Sequence, residues 1–139
     1  MAANDFADIR QALETQLSAI TGVPAIAWEN IDFDSKAVDQ WLRVQIDITG
    51  QRPSAVGQGA QIRHEGLFFV DCFVRYQKTQ GGPAAADALA QKIQDAFPYG
   101  TILTEGTKRV YIRAAERAGG RIDSPWYFVP LTISWYCYV

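Results

Sequence analysis

One histidine, two cysteines and a short run of aspartates are the side chains of this 139-residue chain with the plainest capacity for chemistry. His64 stands between Arg63 and Glu65, and an imidazole beside a carboxylate is the start of an acid–base pair. The flanking residues alternate as in a strand, where adjacent side chains point to opposite faces, so Glu65 is not placed to orient His64. That predicts a surface or interface role for His64. Cys72 and Cys137 are too few for a disulfide framework and lack the spacing of a zinc site. Each lies among apolar neighbours, which predicts a buried free thiol. Asp32, Asp34 and Asp39 offer oxygen ligands, yet the stretch has neither the glycine turn nor the closing glutamate of a calcium-binding loop and reads as a solvated connection. Ser54, Ser124 and Ser134 have no Gly-x-Ser-x-Gly context. Gly57-Gln58-Gly59 lacks the lysine and following helix of a phosphate-binding loop. These residues predict no catalytic group, no metal site and no cofactor, and therefore a protein that is not an enzyme.

Charge excludes a further class. The 13 basic residues are dispersed and outnumbered by 15 acidic ones, for a net charge of -2. Nucleic-acid affinity needs clustered Lys and Arg that release phosphate counterions, so no specific DNA binding is expected. Met1-Ala2-Ala3-Asn4-Asp5-Phe6 leads straight into an amphipathic segment, not into a basic stretch followed by an apolar run, which predicts no signal peptide. No apolar run is long enough to cross a bilayer, so no membrane partner is expected and synthesis and use in a cytoplasm are.

The elements follow from periodicity. From Asp5 to about Thr21, Phe6, Ile9, Leu13, Leu17 and Ile20 form a helical stripe, with Asn4 or Asp5 as cap and Gly22 and Pro24 as stop. Ala25 to Trp28 reads as a brief strand, and Glu29 to Gln40 as an irregular connection. Residues 41–49 alternate, with Leu42, Val44, Ile46 and Ile48 on a dry face and Arg43, Gln45, Asp47 and Thr49 on a wet one. Gly50 to Ala60 is polar and glycine-rich, a mobile hairpin arm with little to bury until it meets a partner. In the next strand, Ile62 to Tyr76, Phe68, Val70, Cys72, Val74 and Tyr76 share one face while Leu67, Phe69 and Phe73 share the other. Apolar residues on both faces call for cover beyond the helices, and another subunit is one source of it.

Gln77 to Gly82 reads as a turn, and Pro83 opens a second helix whose buried face is Ala85, Leu89, Ile93, Ala96 and Phe97, stopped by Pro98 and Gly100. Short strands follow at residues 101–104 and 110–114. A polar loop, Glu116 to Ser124, precedes the aromatic strand that runs from Trp126 to Val139. Trp126, Tyr127, Phe128, Trp135, Tyr136 and Tyr138 there belong to a core or a subunit interface, since a stacking platform for bases would sit in a basic groove. At this length, with 48% apolar residues, the chain suffices for one domain with its own core. The expected class is α+β: one domain over 1–139, a mainly antiparallel sheet of four or five strands, and two helices on one face.

Several segments together resemble the tail terminator proteins of long-tailed bacteriophages, the broad group that includes the minor tail protein U of phage lambda. They are residues 6–13 (Phe-Ala-Asp-Ile-Arg-Gln-Ala-Leu), Ile26-Ala27-Trp28-Glu29-Asn30 and Trp41-Leu42-Arg43-Val44. To these are added residues 63–74 from Arg63 through Val74, Ala96-Phe97-Pro98-Tyr99-Gly100-Thr101, and residues 126–133 from Trp126 through Ile133. The resemblance spans almost the whole chain. It implies a structural virion protein at the head-proximal end of the tail, assembled in the bacterial host cytoplasm. Subunits of that family form a six-fold homo-oligomeric ring on the last ring of the tail tube, stop tube growth and offer a surface to head completion or neck proteins, with DNA passing through the lumen unbound. A neck or head-tail connector protein of the same region is the alternative, and a small-molecule-binding or catalytic α+β domain a more distant one. Such a ring needs two different patches per subunit. The arm, the two-faced strand and the final strand supply the candidate interface residues: Gln51, Arg52, Gln58, Gln61, Arg63, His64, Phe69, Phe73, Trp126 and Tyr127.

Overall fold

The computed structural model describes residues 5–75 and 82–139. Helix α1 is Asp5–Ser18 and helix α2 is Gly82–Asp95; the strands are β1 (Ala25–Ala27), β2 (Gln40–Pro53), β3 (Ile62–Arg75), β4 (Ile102–Glu105), β5 (Lys108–Arg117), β6 (Arg121–Asp123) and β7 (Trp126–Tyr138). In α1, Ile9, Leu13 and Leu17 recur every four residues and are fully buried, while Asp5 and Asp8 set negative charge against the positive end of the helix dipole. The helix stops three residues before the expected Thr21. Its hydrogen bonding tightens to a three-residue step at Ile20 and Val23, and Gly22 takes a left-handed φ of 74°.

The sheet runs β1-β2-β3-β7-β5-β4, with β6 pairing on β7. Two expectations are corrected here. Among the described residues there are seven strands, not four or five, and the sheet is mixed, because β1 lies parallel to β2 while the other pairs are antiparallel. The strand missed outright is β6, read from sequence as polar loop. All three of its residues are exposed, so no alternation announces it, and it exists because the first residues of β7 offer it a ladder. The direction of β1 depends on where the connection over residues 28–39 returns the chain, which local pattern does not encode.

The arm also changes. β2 does not end at Thr49: a bulge between Ile48 and Gly50 shifts the register, and pairing resumes through Gln51 with His64, Arg52 with Arg63 and Pro53 with Ile62. The unpaired tip is residues 54–61, closed by the Ser54 amide donating to the Gln61 carbonyl at 2.8 Å. The expected turn over Gln77 to Gly82 and the placement of Tyr76 lie outside the described residues, except that Gly82 opens α2.

Both helices pack on one face of the sheet, as periodicity predicted. Ile9, Leu13 and Leu17 of α1 and Ala86, Leu89, Ala90 and Ile93 of α2 meet Leu42, Val44, Phe68, Val70, Leu131, Ile133 and Trp135 in one cluster. Each fully buried Leu, Ile or Phe contributes about 1.5–3 kcal/mol relative to exposure, so this layer is the main source of stability. Polar ties also fix the helix layer to the sheet, two of them at α1. The Lys108 ammonium, 8% exposed as a residue, sits 3.1 Å from Asp5 and 3.6 Å from Asp8, and the hydrogen bond it donates to Asp5 raises its pKa. Glu29 accepts from the Ile46 amide at 2.9 Å and from Arg10 at 3.1 Å. Its carboxylate occupies an outward-pointing N–H of β2 just beyond the reach of the short β1.

Candidate assembly surface

Among the described residues, the opposite face of the sheet carries no helix. Strand parity places Trp41, Arg43, Phe69, Asp71, Phe73, Arg63, Glu65, Phe128, Thr132, Tyr136 and Tyr138 there, and the register brings them into rows. At one end the rings of Phe33, Trp41, Phe73 and Phe128 stack in sequence at centroid distances of 5.2, 4.1 and 4.8 Å, with Trp126 edge-on to Trp41 at 5.9 Å. Arg43 covers Phe73 at 5.0 Å and pairs with Asp71 at 2.8 Å, and Arg75 covers Trp126 at 4.7 Å. The guanidinium planes satisfy the negative ring faces and keep this large apolar patch compatible with water.

At the other end Glu65 gathers Arg52 at 2.5 Å, Arg63 at 3.0 Å and, more loosely, Arg113 at 4.0 Å. Arg63 also lies over Tyr136 at 4.2 Å and donates to the Tyr138 hydroxyl at 3.0 Å, while Tyr111 stacks on Tyr136 at 4.9 Å. Between the two clusters Leu67 and Phe69 remain half-buried. A face of aromatic and arginine side chains, flanked by paired charges, has the composition of a protein–protein contact surface.

The ten candidate interface residues do not form one patch. Arg52, Arg63, Phe69, Phe73 and Trp126 lie on this open face, with Arg52 and Arg63 side by side on Glu65. Gln51 and His64 pair with each other and face the helix side, and Tyr127 packs against the core there. Gln58 and Gln61 are exposed on the tip. Phe73 is 2% exposed and Trp126 8%, so both are already covered by their own chain. Phe128 and Tyr136, read from sequence as core or interface aromatics, share the face, and so do Trp41, Tyr111 and Arg113, which sequence reasoning did not single out. Parity of β2 and β3 was the signal for Trp41, and the register with β7 supplied the rest.

The side chains with chemical potential are held in inert settings. His64 is the cross-strand partner of Cys137, which sets an imidazole near a thiol. Burial, however, pushes the Cys137 thiol above its ordinary pKa, its Sγ lies 3.7 Å from the Tyr138 carbonyl, and the buried His64 Nδ1 has no hydrogen-bond partner. A nucleophilic thiol needs the thiolate. Burial first, then the Asp71 carboxylate, push Cys72 up to about 12. Both cysteines are free and buried. Asp34 accepts from the Lys36 amide at 3.0 Å and caps a short 3-10 turn, and Asp39 pairs with Arg75 at 3.2 Å. Among the described residues no group of three or more His, Cys, Asp and Glu is placed to hold a metal ion, and no helix is long and apolar enough to cross a membrane.

The fold and this face define a small α+β structural protein whose exposed chemistry suits contact with other proteins. The model of the phage tail terminator protein family matches residues 8–135, and the chain belongs to that family. It is thus a tail-terminating structural protein of a bacteriophage virion. A solved structure with 22% sequence identity superposes with a TM-score of 0.75, covering 96% of this chain and 95% of the other, and shows the same fold. No curated protein sequence matches the chain.

Proposed function

We propose that copies of this chain close into a six-membered ring on the last ring of the tail tube. The ring blocks addition of further tube subunits and offers its opposite surface to a head completion or neck protein. The family match over residues 8–135 carries the reading. The helix-free sheet face supports it, with Leu67 and Phe69 left half-buried and available to a neighbour. Near-neutral charge suits a lumen through which DNA slides without being held. Assembly takes place in the host cytoplasm, and the proposed subunit contacts draw on Arg52, Gln58, Gln61, Arg63 and Phe69.

Electron microscopy of the cognate tube protein polymerised with and without this chain tests the proposal. Tubes of limited length with a cap at one end, against far longer tubes in its absence, are expected. Indifferent tube length with bare ends would overturn termination and favour a neck position instead.

A further inference from the structure

The two edges of the sheet are built to opposite specifications. Beyond β1, the connection over residues 29–39 carries Glu29, Asp32, Asp34 and Asp39 against Lys36 alone. At its start a turn closes with the Ile31 amide donating to the Trp28 carbonyl at 3.2 Å, and Asn30 adopts a left-handed φ of 62°. That conformation is uncommon for a residue with a Cβ, and the turn holds Ile31 out at 64% exposure beside the exposed Asp32. Asp32 makes no ion pair among the described residues.

The far side is basic. Beyond Tyr111, where β4 stops covering β5, the edge is open, and β5 and β6 together carry Lys108, Arg109, Arg113, Arg117 and Arg121 against Glu116 and Asp123. Arg113 is the extra residue of a bulge in β5: Ile112 pairs with Trp135 and Ala114 with Ser134, leaving Arg113 without a partner position. Bulges re-aim side chains, and this guanidinium keeps 53% of its side chain exposed, its one ion pair among the described residues being the loose 4.0 Å contact to Glu65. Beside it Tyr99 stands 86% exposed. Tyr99 and Arg113 line two neighbouring hollows of about 610 and 510 Å³, the first walled by Tyr111 and Tyr136 and the second by Phe97 and Pro98.

An apolar knob beside unpaired acid therefore lies on one edge, and an aromatic hollow beside a spare arginine on the other. In the strand order β1 and β5 are four spacings apart, about 19 Å at roughly 4.8 Å each, so one chain cannot join them. We propose that the Ile31 turn of one copy seats against Tyr99 of the next copy, with Asp32 meeting Arg113, and that this head-to-tail contact is the repeating joint between subunits. The inference rests on the ring reading and deepens it. Because the two patches differ, the contact is heterologous and closes a ring once the rotation per subunit matches.

Charge exchange tests the joint. Light scattering of the full chain is measured for Asp32→Arg, for Arg113→Asp, for an equimolar mixture of the two, and for a chain carrying both changes, with circular dichroism verifying the fold. Each single variant is expected to need at least tenfold more protein to form rings. The doubly exchanged chain should recover, and so should the mixture, because its joints alternate between native and exchanged pairs. Single variants that form rings as readily as the unaltered chain would overturn the joint while leaving the ring reading intact. A mixture and a double exchange that fail to recover would overturn it as well. An unaltered chain that neither forms rings nor caps tubes would remove the ring reading itself. As an independent readout, a chain with Ile31→Cys and Tyr99→Cys should give an oxidised ladder that ends at the ring size; a chain that stays monomeric on oxidation while forming rings refutes the placement.

Discussion

Phe73 lies on the sheet face that neither helix covers, yet only 2% of it is exposed. Its ring stacks on Trp41 at 4.1 Å and 11°, and on Phe128 at 4.8 Å and 20°, with the Arg43 guanidinium 5.0 Å above it. Phe73→Ala empties the middle of that ladder, and loss of a buried Phe costs about 3–5 kcal/mol when the surroundings cannot collapse. Flat rings held by three strands collapse poorly, so the upper half of the range is expected. Phe73→Leu keeps most of the apolar area and should lose mainly the ring–ring terms, about 0.5–1.5 kcal/mol for each stacked neighbour. Urea denaturation at a concentration where the chain is monomeric measures both, and a cycle with Trp41→Leu should return a coupling of about 0.5–1.5 kcal/mol. A loss below about 1 kcal/mol for Phe73→Ala, or no coupling to Trp41, would refute a structural role. Phe73 would then be free to act as the contact residue that its sequence position suggested.

Two further outcomes follow from close contacts. A Cβ at Gly66 would run into the Asp47 carbonyl and the Trp135 ring, so Gly66→Ala should cost about 2–3 kcal/mol by overpacking, while Gly50→Ala, with open space around it, should be near neutral; equal urea midpoints for the two would contradict the packing. Burial opposes the ionised form of Glu29, but the Ile46 amide and Arg10 outweigh it and hold its pKa below the ordinary 4.5. A depressed carboxyl pKa stabilises the fold fully above the unfolded value and ceases to do so as pH falls through the folded one. The stability difference between the unaltered chain and Glu29→Gln should therefore be about 0.5–1 kcal/mol at pH 7, discounted for the partial exposure of the pair, and should vanish in the acid range below 4.5. Glu14, whose pKa is raised by burial and in smaller part by the Glu29 charge, runs the other way, and its share of the difference is read from the same pair of variants on a Glu14→Gln background. A difference independent of pH would show that the Glu29 charge is idle.

Periodicity carried the layer arrangement. Ile9, Leu13 and Leu17 at four-residue steps, and Leu42, Val44, Ile46, Phe68, Val70 and Cys72 at two-residue steps, each specify a buried stripe from local sequence alone, and the structure assembles those stripes into one core. The two-faced character of β3 was equally legible, because Leu67, Phe69 and Phe73 occupy the parity opposite to Phe68 and Val70. Family resemblance was legible too, since its segments are spread along the chain that the family model matches.

Tertiary structure decided which of those apolar residues remain available. Phe73 and Trp126 look alike in sequence to Phe69, but stacking on Trp41 and cover from Arg75 use them up within the chain, through contacts between residues 32 to 85 positions apart. The pairing of β6, the parallel course of β1 and the bulge that frees Arg113 likewise depend on what a neighbouring strand offers, and short exposed segments carry no pattern of their own. Local sequence determines which face of an element is apolar, because side-chain direction follows backbone period. Which apolar or charged groups are left for a partner depends on the register between strands, and that is settled only when the sheet closes.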